Sequence, residues 1–197
     1  MESTIEIIKI DQFIKSLRAL TPLSDEAIHL FLSKAEYEIR KKGEILIRAE
    51  RYEHYSYFII DGYARGFFYK DHKDITFWFA HSGMTLLSMN SYHNQTAGYE
   101  NIELLMDCKL LKISNTDLLD LYASNVELAN LGRKLSDTFI LYLEKLMMER
   151  NFMSASERYN SLIDRNPEIL QVAPLKHIAS YLGISQVSLS RIRAGIQ

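Results

Sequence analysis

The stretch PLKHIASYLGISQVSLSRIRAG, residues 174–195, narrows the choice of fold more than any other part of the chain. Leu175, Ile178, Ala179 and Leu182 recur at three- and four-residue spacing, which places them on one face of a helix. Gly183 follows, where a helix C-terminus favours a residue tolerant of positive φ. Ser185 then offers a side-chain oxygen to cap a second helix. In that helix Leu189, Ile192 and Ile196 share a face, with Gln186, Val187, Ser190 and Arg191 opposite and Ser188, Arg193 and Ala194 at the flanks. Ala179 is small enough to let the two axes approach, Gly183 makes the turn, and Leu189 and Ile192 fill the gap. This is the helix-turn-helix pattern, whose second helix enters the DNA major groove. The alternative is a helical hairpin that merely closes a core.

The outer face has the chemistry for double-stranded DNA. Arg191 can donate two hydrogen bonds to guanine O6 and N7, Gln186 can pair bidentately with adenine, and Val187 can pack on a thymine methyl. Lys176, His177, Ser185 and Arg193 lie at helix ends or flanks, where phosphate contacts are usual, and Ser188 and Ser190 complete the candidate surface. From residue 150 onward there are six Lys and Arg against three Asp and Glu, in a chain of net charge −2. That bias has the sign a polyanion requires.

Other classes find little support. A chain of 197 residues, 47% hydrophobic and 24% charged, has the makings of one large or two small globular domains. It has no run of about 18 apolar residues to span a membrane. The start MESTIEIIKI is acidic where a signal peptide would be basic, so a cytoplasmic protein is expected. A single cysteine, Cys108, leaves no disulfide framework and no cysteine-clustered metal site. His54, His72, His81 and His93 lack close paired spacing, so no metal and no cofactor are expected. No Gly-rich phosphate loop, HExxH or nucleophile elbow is present, which argues against an enzyme.

Two helices are expected near the start. One covers residues 10–20 with Phe13, Ile14 and Leu17 inward; the other, capped by Ser24, runs to about residue 35 and buries Ile28, Phe31 and Leu32. Between residues 36 and 114 the period becomes two. Asp61-Gly62 between two apolar, aromatic runs reads as a tight hairpin, and Asp71-His72-Lys73-Asp74 as another turn. Short strands with regular turns predict a small antiparallel sandwich or barrel. The irregular segment 84–100 is a candidate ligand loop or an ordinary surface loop.

Residues 125–150 then carry a long apolar stripe of Leu128, Leu131, Leu135, Phe139, Tyr142 and Leu146, with Ile140, Leu143 and Met147 beside it. Such a helix serves either as a dimer seam or as a core helix of one chain. A dimer seam suits a helix-turn-helix protein, which needs two copies to read two half-sites. Another helix begins at Ser154 and ends before Pro167, and the polar segment 151–154 is a candidate hinge.

The order of these parts, with Ser154 to Tyr159, Pro167, Pro174, IASYLGIS and LSRIR, resembles the Crp/Fnr family of bacterial transcription regulators, in the branch common in Bacteroidetes. Lys42-Gly43-Glu44 and Phe58-Ile59-Ile60-Asp61-Gly62 are similar to the family's cyclic-nucleotide-binding-like domain. The resemblance implies an α+β fold with three parts. They are a jelly-roll antiparallel β-barrel with flanking helices over 1–123, a dimerisation helix over 124–150, and a small all-α helix-turn-helix domain over 151–197. It implies a homodimer that senses something and relays it to DNA, with RNA polymerase a further candidate partner.

The family's base-reading positions fall on Gln186, Val187 and Arg191, and Val187 stands where an acidic residue is usual. Many relatives continue into a β-wing after the second helix, and with Gln197 as the last residue no wing contacts are expected. The nucleotide-binding members' Gly-Glu and Arg-Ser/Thr positions fall on Leu87, Ser88, Gly98 and Tyr99, and none matches. A buried phosphate without its arginine loses a charge-assisted contact, so cyclic AMP and GMP are not expected. Leu86, Leu87, Ser88, Asn90, Gly98 and Tyr99 are then candidate contacts for another small-molecule effector, unless nothing is sensed. The competing function is a ligand- or protein-binding module whose helix-turn-helix no longer reads DNA.

Overall fold

The computed structural model describes residues 2–195, and side chains from residue 8 onward. Ile196, expected on the inner face of the last helix, lies outside the described residues. The chain opens with α1 (Glu2–Leu20) and α2 (Asp25–Ser33), the latter capped by Ser24, whose hydroxyl accepts from the Ala27 N–H. Eight strands follow: β1 (Glu36–Arg40), β2 (Ile45–Ile47), β3 (Tyr55–Asp61), β4 (Tyr63–Lys70), β5 (Lys73–His81), β6 (Thr85–Leu86), β7 (Asn101–Leu104) and β8 (Cys108–Ser114). The helical half comprises α3 (Asn115–Ser124), α4 (Val126–Phe152), α5 (Ala155–Arg165), α6 (Ile169–Val172), α7 (Leu175–Leu182) and α8 (Gln186–Arg193).

The strands do not close into the expected barrel. They form two separate antiparallel four-stranded sheets, in the orders β1-β8-β3-β6 and β2-β7-β4-β5. Alternating hydrophobicity specifies strands with a buried face, but it does not say whether the end strands of a sheet meet. The edges here are managed separately: β6 is two residues long, and β5 is covered by α7.

The expected Asp61-Gly62 hairpin is also corrected. β3 and β4 lie in different sheets, and Gly62, at φ 139°, carries the chain across between them. A Cβ there would collide with the Cys108 sulfur, so the glycine is required by close approach as well as by φ. The hairpin lies one strand later, where β4 pairs with β5 through Asp71 and His72. Both have positive φ, at 49° and 62°, as a type I′ turn demands.

Three apolar clusters follow from this layering. Tyr57 and Ile59 point between the sheets, against Ala64, Trp78, Ile102 and Leu110, while Phe58 and Ile60 point the other way onto α1, α2 and α4. β3 is therefore buried on both faces, which accounts for its unbroken apolar run. The third cluster joins Phe79 and Leu105 of the sandwich to Leu146 of α4 and to α5, α6, α7 and α8.

Candidate nucleic-acid interface

The two-helix unit is built as the residue pattern requires. Gly183 sits in the left-handed region at φ 68°. Ile184 N–H bonds to Ala179 C=O and Gly183 N–H to Ser180 C=O, the paired closure of a Schellman turn. Ser185 caps α8 by accepting from the Ser188 N–H at 3.0 Å. Ile178, Ala179, Leu182 and Leu189 are buried together between the helices. A second cap fixes the entry to the unit: Ser154 and Glu157 form a reciprocal capping box at the start of α5. With α4 ending at Phe152 and Ser154 already capping, the expected polar hinge shrinks to Met153.

Most of the candidate reading surface faces outward. Gln186, Val187, Ser190, Arg191 and Arg193 on α8 are exposed, as are Ser185 and Lys176; Ser188 is half-buried by its place in the cap. His177 departs from expectation. It is buried at 4% exposure against the sandwich, so in this arrangement it faces β5 and has no access to a phosphate.

That docking surface is a polar site unforeseen in the sequence. Ser180 of α7 replaces a neighbouring strand at the free edge of β5: its hydroxyl accepts from the Thr76 N–H at 3.0 Å and donates to the Asp74 carbonyl at 3.2 Å. Tyr181 packs on Phe79, ring centres 5.1 Å apart. Beneath them the buried Arg65 donates to Glu103 at 2.7 Å, Thr76 at 2.9 Å and Asp74 at 3.1 Å. Burial works against ionisation of Asp74, yet the Arg65 guanidinium holds its carboxyl below the usual value. Arg65 interrupts the apolar part of the strand YARGFFYK, and that charge within the run was the signal available.

A second buried pair ties α4 to α5. Glu149, at 3% exposure, receives both Arg165 guanidinium nitrogens, Nη2 at 2.9 Å, and the Ser161 hydroxyl at 2.7 Å. Burial opposes the charge, but these donors keep the carboxyl below its ordinary value.

The expected dimer stripe is corrected in part. Leu128 and Leu131 are buried against α1, α2 and α3 with Leu135 packed on them, and Leu146 is buried with the helix-turn-helix cluster. Tyr142 packs beside Leu146, and Phe139 is half-buried with its ring 6.4 Å from that of Tyr142. This face covers the chain's own core. The apolar surface left on α4 lies on its two flanks, Ile140, Leu143 and Met147 on one and Leu141, Met148 and Phe152 on the other, all 41–76% exposed.

In the 84–100 segment, Leu86 and Ser88 are buried, Leu87 is half-buried, and a single π-turn spans Asn90–Asn94. Asn90, Gly98 and Tyr99 line an open groove of about 530 Å³, together with Phe68, Tyr69 and Glu50, which the sequence did not single out. Glu50 is the one charged residue of that lining. Gly98 lies so close over Ser88 and Glu100 that a Cβ would collide with both. Among the described residues no group of His, Cys, Asp and Glu could hold a metal ion, and no helix is long and apolar enough to cross a membrane.

No family model matches the sequence, and no curated protein matches it. Solved structures do. FixK2 from Bradyrhizobium japonicum is similar with a TM-score of 0.69 at 16% identity, over 82% of this chain and 83% of that one. A protein from Eubacterium rectale described as a transcriptional regulator of the crp/fnr family gives 0.69 at 17%, over 88% and 83%. The c-di-GMP responsive global regulator CLP of Xanthomonas campestris gives 0.65 at 16%, over 87% and 91%. At these identities the likeness is one of architecture: the chain has the Crp/Fnr-type fold, a cyclic-nucleotide-binding-like sandwich joined through a long helix to a helix-turn-helix.

Proposed function

We propose that the protein is a homodimeric, sequence-specific DNA-binding transcription regulator, not controlled by a cyclic nucleotide. The observation that carries this reading is α8. Its polar face, with Gln186, Val187, Ser190 and Arg191, is exposed and free of other structure, while its apolar face is locked on α7 through a turn that only Gly183 makes without strain. The Crp/Fnr-type fold supports it. Dimerisation is assigned to the exposed apolar side of α4, around Ile140, Leu143 and Met147, which brings two α8 helices to two half-sites. The groove beside Gly98 and Tyr99 is the candidate effector site. Glu50, its one charged residue, disfavours a phosphate, which supports independence from cyclic AMP.

Arg191→Ala tests the assignment of α8. The variant should lose about 1–3 kcal/mol against the preferred site and discriminate less at one base pair in fluorescence anisotropy titrations. Equal loss on every sequence would reassign Arg191 to phosphate and remove the base-reading role. The second reading, a module that no longer reads DNA, is favoured by the burial of His177 on β5, which withdraws one flanking contact.

A further inference from the structure

We infer that the contact between α7 and β5 is a proton-sensitive latch, which loosens when His177 takes up a proton. The inference concerns the docking of the helix-turn-helix on the sandwich and stands whatever α8 binds. His177 is buried at the centre of that contact, and neither ring nitrogen has a hydrogen-bond partner. The nearest acceptor, Asp74 Oδ2, is 3.8 Å from Nε2 and already receives Arg65.

The groups facing the ring are Arg65 on β4, Asp74 on β5, Glu103 on β7 and Lys176 on α7 itself. Arg65 already engages both carboxylates and Lys176 lies in solvent, so a proton on His177 finds no free acceptor within hydrogen-bond distance. Leaving a neutral ring without hydrogen bonds costs less than leaving a charged one, which gains water only if the helix lifts. Burial, with Arg65 adding to it against the pull of Asp74, sets the docked imidazole below its ordinary 6.5.

The undocked helix pair therefore binds the proton more readily than the docked one. Docking has full strength above about pH 6.5, weakens as the pH falls through that value, and levels off once the docked ring itself titrates. Ser180 supplies a local reporter, because the Thr76 amide donates to its hydroxyl across the latch and exchanges with solvent when the latch opens.

The experiment is amide hydrogen exchange followed by NMR on the whole chain at pH 7.5 and 5.5, corrected for intrinsic exchange. The protection of the Thr76 amide should fall by up to about tenfold at the lower pH, while the amides of β3, away from the latch, keep theirs. His177→Gln, which cannot titrate, should show no such fall. Unchanged Thr76 protection in the native chain, or the same fall in the glutamine variant, overturns the inference. If that variant does not fold, the imidazole nitrogens of the native chain decide: a His177 midpoint at or above 6.5 overturns it, and one below supports it.

Discussion

Replacing Ile140 with Glu should separate the subunits without unfolding them. Ile140 is 62% exposed on the free side of α4, so the subunit itself gains little from it. Fully burying an isoleucine side chain is worth about 1.5–3 kcal/mol, so covering the exposed part contributes about 1–2 kcal/mol per chain. In a twofold dimer the residue counts twice, and losing about 2–4 kcal/mol weakens association by about 30- to 900-fold. Two carboxylates brought close to the axis add repulsion to that figure. Sedimentation equilibrium over a range of concentrations reads the dissociation constant, and thermal unfolding of the diluted monomer reads the subunit. A dissociation constant equal to that of the native chain refutes the assignment of this face. So does unfolding of the subunit, which would make Ile140 a core residue. Phe139→Lys is less discriminating, because Phe139 is already half-buried beside Tyr142.

Glu149→Ala leaves the partly buried Arg165 guanidinium without its carboxylate and should cost about 3 kcal/mol in chemical denaturation, the low end for a buried pair because Arg165 keeps contact with water; a cost under about 1 kcal/mol would mean water replaces the carboxylate. Gly183→Ala meets no atom within 4 Å, so its cost is backbone strain alone, about 1–2 kcal/mol, read as a lowered midpoint of denaturation. Cyclic AMP at millimolar concentration should leave the thermal midpoint unchanged, whereas a ligand at 100 times its dissociation constant would add about 2.7 kcal/mol.

The local devices of this chain were written plainly in its residues. The caps at Ser24 and Ser185, the turn at Gly183 and the strand run around Phe58 depend on near neighbours, and each forms as the spacing predicts. What was illegible is long-range. Asp61-Gly62 has hairpin composition, yet its strands pair elsewhere, because Gly62 also answers to Cys108, 46 positions later in the numbering. The stripe of α4 showed that one face is buried, not whether it meets the same chain or a second one; only the helices packed on Leu128 and Leu131 decide that. His177 has the polarity of a surface residue, and its burial follows from β5 having a free edge for α7 to cover. The groove was half legible, since Asn90, Gly98 and Tyr99 come from one loop but Glu50, Phe68 and Tyr69 reach it from other strands and turns.

The central claim, a dimer that reads DNA through α8 without a cyclic nucleotide, is tested most directly by selecting genomic DNA fragments with the purified, ligand-free protein at several salt concentrations. A dimer of this kind enriches a palindrome with half-sites about one helical turn apart, bound more weakly as salt rises. Binding with the same salt dependence but no enriched motif would contradict the claim.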